Sequence, residues 1–212
     1  MAKMTFDELV SFFPMDRCRE LVRMSLAELD AQALADDSVI LPDLDENDRA
    51  QAQADLNNPD ICDEAKHEMR VLLSFIGKRP SEVLPLTPEL DAERLEYEMY
   101  TTANEIIKEW LNVLNNAKYE SGDKPVRLDG SLLPPPELSK YDGVSWDERL
   151  TNSSELTVEV EQLRELMSLY VANLIPVFDS MIANNPNGFE LFDDIIVGKD
   201  KDGFYLLPEV KE

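Results

Sequence analysis

The chain has 212 residues, of which 44 are Asp or Glu and 20 are Lys or Arg, giving a formal net charge of -24. Hydrophobic residues make up 43% of it, which excludes a wholly disordered chain and permits one substantial core, while only seven glycines argue against a turn-rich all-β architecture. On a folded surface of roughly 10,000 Å² the charge amounts to about one uncompensated negative per 400 Å²; such a surface repels nucleic acid and anionic lipid and attracts cations or basic proteins, so direct nucleic-acid binding is not expected.

The first element is announced by Thr5 and Glu8, a T-x-x-E capping box before the apolar run Leu9, Val10, Phe12 and Phe13, which Pro14 interrupts. A helix is predicted from about 15 to 36, with Cys18, Leu21, Val22, Ser25 and Leu29 on one face. On that face Cys18 reads as a small core residue. It and Cys62 are the only cysteines, and "MAKMTFDELVSFF" has no secretory apolar core. Both observations point to reduced thiols in a cytoplasmic protein.

Residues 37–58 read as an acidic connection with a helical turn through "DRAQAQADL". Its carboxylates invite a calcium loop, with Asp43, Asp45 and Asn47 at the first, third and fifth positions. Asp48, however, occupies the position that needs glycine, and Ala54 the position that needs a bidentate glutamate, so no metal site is expected. Asn58 and Pro59 are expected to cap and open a helix near 59–76, with Ile61, Ala65, Met69, Leu72 and Ile76 as its core-facing stripe.

The strongest local signal is a helix of about 30 residues capped by Thr87 and opened by Pro88. Leu95, Met99, Ala103, Ile106, Trp110, Val113 and Ala117 form its apolar face, and Asp91, Glu98, Glu105 and Glu109 line the opposite side. Residues 120–153 then change character, with "LLPPPELS" extended and Leu132, Leu133, Tyr141, Val144 and Trp146 too apolar for a free linker. A second long helix is predicted from Ser153 or Ser154, its inner face built from Leu156, Val160, Leu163, Met167, Tyr170, Leu174, Phe178 and Met181. Pro176 should kink or divide it. Asp179 within the stretch argues against a membrane span and for a central helix packed on most sides. The final residues, "FDDIIVGKDKDGFYLLP", form the chain's one convincing strand pattern, a β-hairpin.

These elements predict a mainly α protein, a helical bundle built on two long amphipathic helices with a small C-terminal β-hairpin. The division runs 1–119 for the N-terminal helices and first long helix, 120–152 for the connection and 153–212 for the second helix and hairpin, within one compact domain. Phosphate-binding loops, nucleophile elbows and zinc-protease motifs are absent, His67 is the only histidine, and Cys62 lies five residues from it, a poor spacing for joint coordination. No enzyme activity and no cofactor is expected.

Residues 1–106 hold 24 acids and 10 bases and residues 107–212 hold 20 and 10, so the charge is a property of the whole surface and not of one acidic arm. The sequence favours an acidic interaction module, such as an inhibitor, adaptor or assembly chaperone, that binds a basic protein, with nucleic-acid mimicry as its sharper version. Asp91, Glu98, Glu105 and Glu109, together with Asp43, Asp45, Glu46 and Asp48, are its candidate partner-binding residues. The alternatives are a self-associating helical structural subunit and a carboxylate- or metal-dependent enzyme.

Overall fold

The computed structural model describes residues 1–38, 44–121, 124–128, 160–192 and 195–207. Asp43, the proline-rich stretch and the expected start of the second long helix lie outside them. The chain is mainly helical with a small sheet. In order it forms β1 (Lys3–Met4), α1 (Phe6–Ser11), α2 (Met15–Ala35), α3 (Glu46–Asn57), α4 (Asp63–Phe75), α5 (Pro80–Val83), α6 (Pro88–Ser121), β2 (Val126–Arg127), α7 (Val160–Asn184), β3 (Phe189–Leu191), β4 (Ile195–Asp200) and β5 (Gly203–Leu206). It divides into two compact units, Met1–Ser25 with Glu93–Glu212, and Leu26–Ala92, so that the boundaries fall within α2 and α6.

In the larger unit the expected capping box closes α1: the Thr5 N–H donates to Glu8 Oε2 at 2.7 Å, and the Glu8 N–H donates to Thr5 Oγ1 at 3.3 Å. The Thr5 donors hold the Glu8 carboxyl below its ordinary range. Cys18, Leu21, Val22 and Ser25 are buried as their spacing requires, and Leu29 of the smaller unit is half-buried. Burial in apolar surroundings pushes the Cys18 thiol up to about 12, the signature of a packing residue.

The core of this unit is an aromatic relay. Phe13 meets Tyr170 at 5.5 Å between ring centroids, Tyr170 meets Trp110 edge-on at 5.6 Å, and Phe178 meets Phe189 at 5.1 Å and Phe204 at 5.9 Å. It links the α1–α2 turn, α6, α7 and the sheet. Among the described residues the buried Tyr170 hydroxyl has no hydrogen-bond partner, and desolvation raises its pKa above the ordinary value. Tyr170→Phe should therefore be neutral or stabilising, by up to about 1 kcal/mol in urea unfolding, because it removes an unsatisfied polar group and keeps the ring. A loss of that size instead would show that the hydroxyl has a partner in solution.

Helix α7 differs from expectation in two ways. It is not divided at Pro176, which is exposed inside the continuous helix, at the cost of the hydrogen bond its missing N–H would have made and of the ring's crowding against the carbonyl four residues back. It is also packed on one face, not on most sides: Leu163, Leu166, Met167, Tyr170, Val171, Leu174 and Phe178 are buried, while Glu165, Leu169, Ala172, Asn173 and Asp179 are exposed. By length and composition the segment Gln162–Asn184 could span a bilayer. Both exposed carboxylates on it are ion-paired, Glu165 with Arg17 at 2.9 Å and Asp179 with Lys199.

The expected hairpin is β4–β5, turning through Lys201 and Asp202, where the Asp202 N–H donates to Asp200 Oδ1 at 2.8 Å. It belongs to a five-stranded sheet of order β1-β3-β4-β5-β2, in which β1 lies parallel to β3 and the other neighbours are antiparallel. Strands of two or three residues leave no alternation to read, so β1, β2 and β3 escape the sequence pattern. Gly188, at φ +96°, turns the chain from α7 into β3; a Cβ there would lie 2.7 Å from the Val197 carbonyl oxygen. On the β2 edge of the sheet Arg127 is held by both Asp200 oxygens at 2.6 Å and lies 5.3 Å from the Tyr205 ring centroid, and the pair brings the Asp200 carboxyl down to about 2.

In Leu26–Ala92, α3 and α4 pack together. Asn58 does not open a helix as expected. It ends α3, and its Oδ1 accepts the Asp60 N–H at 3.0 Å, a local turn that delays α4 to Asp63. Asp37 ties the end of α2 to α5, accepting the Ser81 N–H at 2.8 Å and the Ser81 hydroxyl at 2.7 Å. These donors hold the Asp37 carboxyl below its ordinary range.

Candidate functional site

The carboxylates expected to form one outward stripe on α6 do not share one environment. Asp91 is exposed, whereas Glu98, Glu105 and Glu109 are half-buried. The expected apolar face is buried from Leu95 to Val113, but so are Thr102, Ile107, Leu111, Leu114 and Lys118, which widens the covered arc beyond one quadrant. Besides Pro88, Asp91 and Ala92 in its first turns, the positions that face water are Glu89, Glu93, Glu96, Tyr97 and Tyr100 in the first half of the helix, and Lys108, Asn112, Asn116 and Tyr119 among the described residues of the second. A helical wheel assumes one packing direction along its whole length; here the exposed arc rotates along α6. Glu89, Glu93 and Glu96 therefore escape it, although their i, i+4 and i, i+7 spacing is legible as a stripe of its own.

The second predicted cluster lies at a helix start. Asp45 caps α3, its Oδ1 accepting the Asp48 N–H at 2.8 Å, and Glu46 and Asp48 occupy the first turn. All three are exposed. The whole segment Glu46–Asn57 is helical, not a connection with one helical turn. Acids here complement the partial positive charge of the helix N-terminus, which is a reason for their presence apart from any partner. Asp45→Ala should then cost about 1 kcal/mol of helix stability, while Asp45→Asn should keep most of it. Circular dichroism melts of the two variants check this, and equal losses would dismiss the cap.

The two units differ in charge. Leu26–Ala92 holds 16 acids and 5 bases, a net -11 over 67 residues, against 28 acids and 15 bases, a net -13 over 145 residues, in the rest. Per residue the smaller unit is almost twice as negative. In the larger unit cations are engaged in bridges: Arg17 to Glu20 and Glu165, Arg19 to Asp16 and Glu96, Lys3 to Glu190, and Arg127 to Asp200. In the smaller one, several carboxylates among the described residues accept from backbone and neutral donors. Glu82 accepts the Arg79 N–H at 2.8 Å and Asp55 accepts from Gln51 at 2.8 Å, in addition to the Asp37 and Asp45 contacts.

A cleft of about 290 Å³ is lined by Asp7, Val10, Ser11, Met15 and Tyr100. The Ser11 hydroxyl donates to the Glu8 carbonyl at 2.6 Å, and the lining supplies no histidine to activate it. Cys62 and His67 are both exposed on or beside α4. Among the described residues, no three His, Cys, Asp or Glu side chains converge as a metal-ligand set. No family model matches this chain, no curated protein matches it in sequence, and no solved structure matches its fold.

Proposed function

We propose that this chain is a non-enzymatic acidic interaction protein, acting as an inhibitor, adaptor or assembly chaperone, that binds a basic protein partner through Leu26–Ala92. In architecture this reading takes α6 and α7 as the two long amphipathic helices of a bundle. The observation that supports it most is the asymmetry of charge: a net -11 within 67 residues, with Asp45, Glu46, Asp48 and Asp91 all exposed there. Concentrated negative potential speeds encounter with a basic surface and repels acidic competitors.

Nucleic-acid mimicry is the sharper form, in which the partner is itself a nucleic-acid-binding protein. Duplex DNA offers a charge every ~1.7 Å of axis. On α6, Glu89 of Leu26–Ala92 and Glu93 and Glu96 just beyond its boundary lie over seven residue steps, or about 10 Å at 1.5 Å per residue, so their spacing is about 5 Å. One helix thus falls short of phosphate density, and mimicry requires acids from several elements. Capture from lysate at about 50 mM and about 300 mM salt, with mass spectrometry of what elutes between them, tests the general reading. Basic proteins should dominate the salt-released set; a set of neutral or acidic proteins that survives the higher salt would favour the structural-subunit alternative.

A further inference from the structure

The strongest unexplained surface is the apolar stripe of α4. Ala65, Met69 and Leu72 share one side of α4 by spacing, and Ile61 before the helix and Ile76 at its C-cap continue the same spacing. Among the described residues nothing covers that stripe fully. Leu72, near its centre, is 59% exposed and the other four are only half-buried. Helix α3 has no buried residue, and among the described residues of Leu26–Ala92 only Leu26 is a buried apolar side chain. Leu34 of the same unit is also 46% exposed. A folded chain of this size ordinarily buries about 60% of the surface its unfolded form exposes. An apolar stripe on so thinly packed a unit is an incomplete interface.

Charge selects what completes it. A second copy would bring one net -11 unit against another, or against the -13 of the remaining chain, so self-association works against Coulomb repulsion. Anionic lipid is disfavoured for the same reason. An uncharged apolar helix would cover Leu72 but leave the carboxylates uncompensated. A helix with an apolar stripe and lysines or arginines beside it satisfies both demands. Glu68 borders the α4 stripe on one edge and Lys66 on the other, with Arg70 farther round the helix. The incoming cations would therefore lie toward Glu68 and the exposed Asp60.

We infer that α4 is the docking face for a basic amphipathic helix of a partner protein, laid along Ala65, Met69, Leu72 and Ile76. This rests on the reading of Leu26–Ala92 as a unit that binds basic proteins and names the form such a partner takes. Helix-in-groove recognition of this kind is read through anchors at i, i+3, i+4 and i+7.

The test uses the full chain and three synthetic peptides of about 18 residues, a length that gives roughly five helical turns. The first is an amphipathic leucine–lysine helix, the second a scramble of identical composition, and the third the first peptide with lysines replaced by glutamine. Fluorescence anisotropy should show the amphipathic lysine peptide binding at least tenfold more tightly than either control. Leu72→Ser should weaken it by a further factor of about ten, the scale of one leucine buried on binding. Because Leu72 is exposed, the variant should keep the parent's circular dichroism spectrum and melting midpoint. Equal binding of the scramble, with Leu72→Ser without effect, overturns the docking face while the basic-partner reading stands. No binding of either lysine peptide overturns both. Equal binding of the glutamine peptide overturns the role of charge. A wild-type dimer in sedimentation that Leu72→Ser dissolves would assign the stripe to a second copy and overturn the inference.

Discussion

Trp110→Ala should remove about 3–5 kcal/mol of folding stability, measured as a shift in the urea midpoint at unchanged slope. Trp110 is 1% exposed, lies in the second half of α6 and meets Tyr170 of α7 edge-on. Tyr170 in turn touches Phe13 at the α1–α2 turn. The indole therefore sits in a relay shared by α6, α7 and the N-terminal turn, and its removal leaves a cavity that rigid neighbours cannot close. Single domains have only about 5–15 kcal/mol in total, so the variant should be partly unfolded at ordinary temperature. The contrast with Tyr170→Phe, which keeps the same relay and drops only an oxygen, separates ring packing from hydrogen bonding. A Trp110→Ala loss below about 1 kcal/mol would mean that the relay is not the core.

The second large effect is kinetic. Association of the chain with a basic partner should slow by roughly one to three decades as ionic strength rises from about 0.01 M to about 0.15 M, because the Debye length falls from about 30 Å to about 8 Å. Dissociation should change much less, since rim charges act mainly on encounter. Location can be tested in the same stopped-flow measurement. Converting Glu46, Asp48, Asp60 and Asp63, all exposed in Leu26–Ala92, to their amides should flatten the salt dependence. Converting the exposed Asp7 and Asp16 of the larger unit to asparagine should alter it less per charge removed. Association rates indifferent to salt would sink the acidic-module reading, and equal effects per charge from both sets would detach it from this unit.

Local chemistry was legible in the sequence wherever a signal is satisfied within a few residues. The Thr5–Glu8 box, the limits of α2, the start of α6 at Pro88 and the turn at Lys201–Asp202 each depend on neighbours along the chain, and each formed. Hydrophobic spacing also marked Cys18 and Trp110 as interior. Tertiary structure alone decided the rest. Which arc of α6 faces water depends on what packs against each half of it, so Glu98, Glu105 and Glu109 proved half-buried while Glu89, Glu93 and Glu96 stood outside. The strands at Lys3–Met4 and Val126–Arg127 exist only because β3 and β5 offer them edges. Net charge is evenly shared when counted along the chain, but folding groups Met1–Ser25 with Glu93–Glu212 and leaves the most acidic stretch as a unit of its own. Composition fixes how much charge and apolar surface a chain carries; only the three-dimensional arrangement of neighbours determines which of it is covered and which is left for a partner.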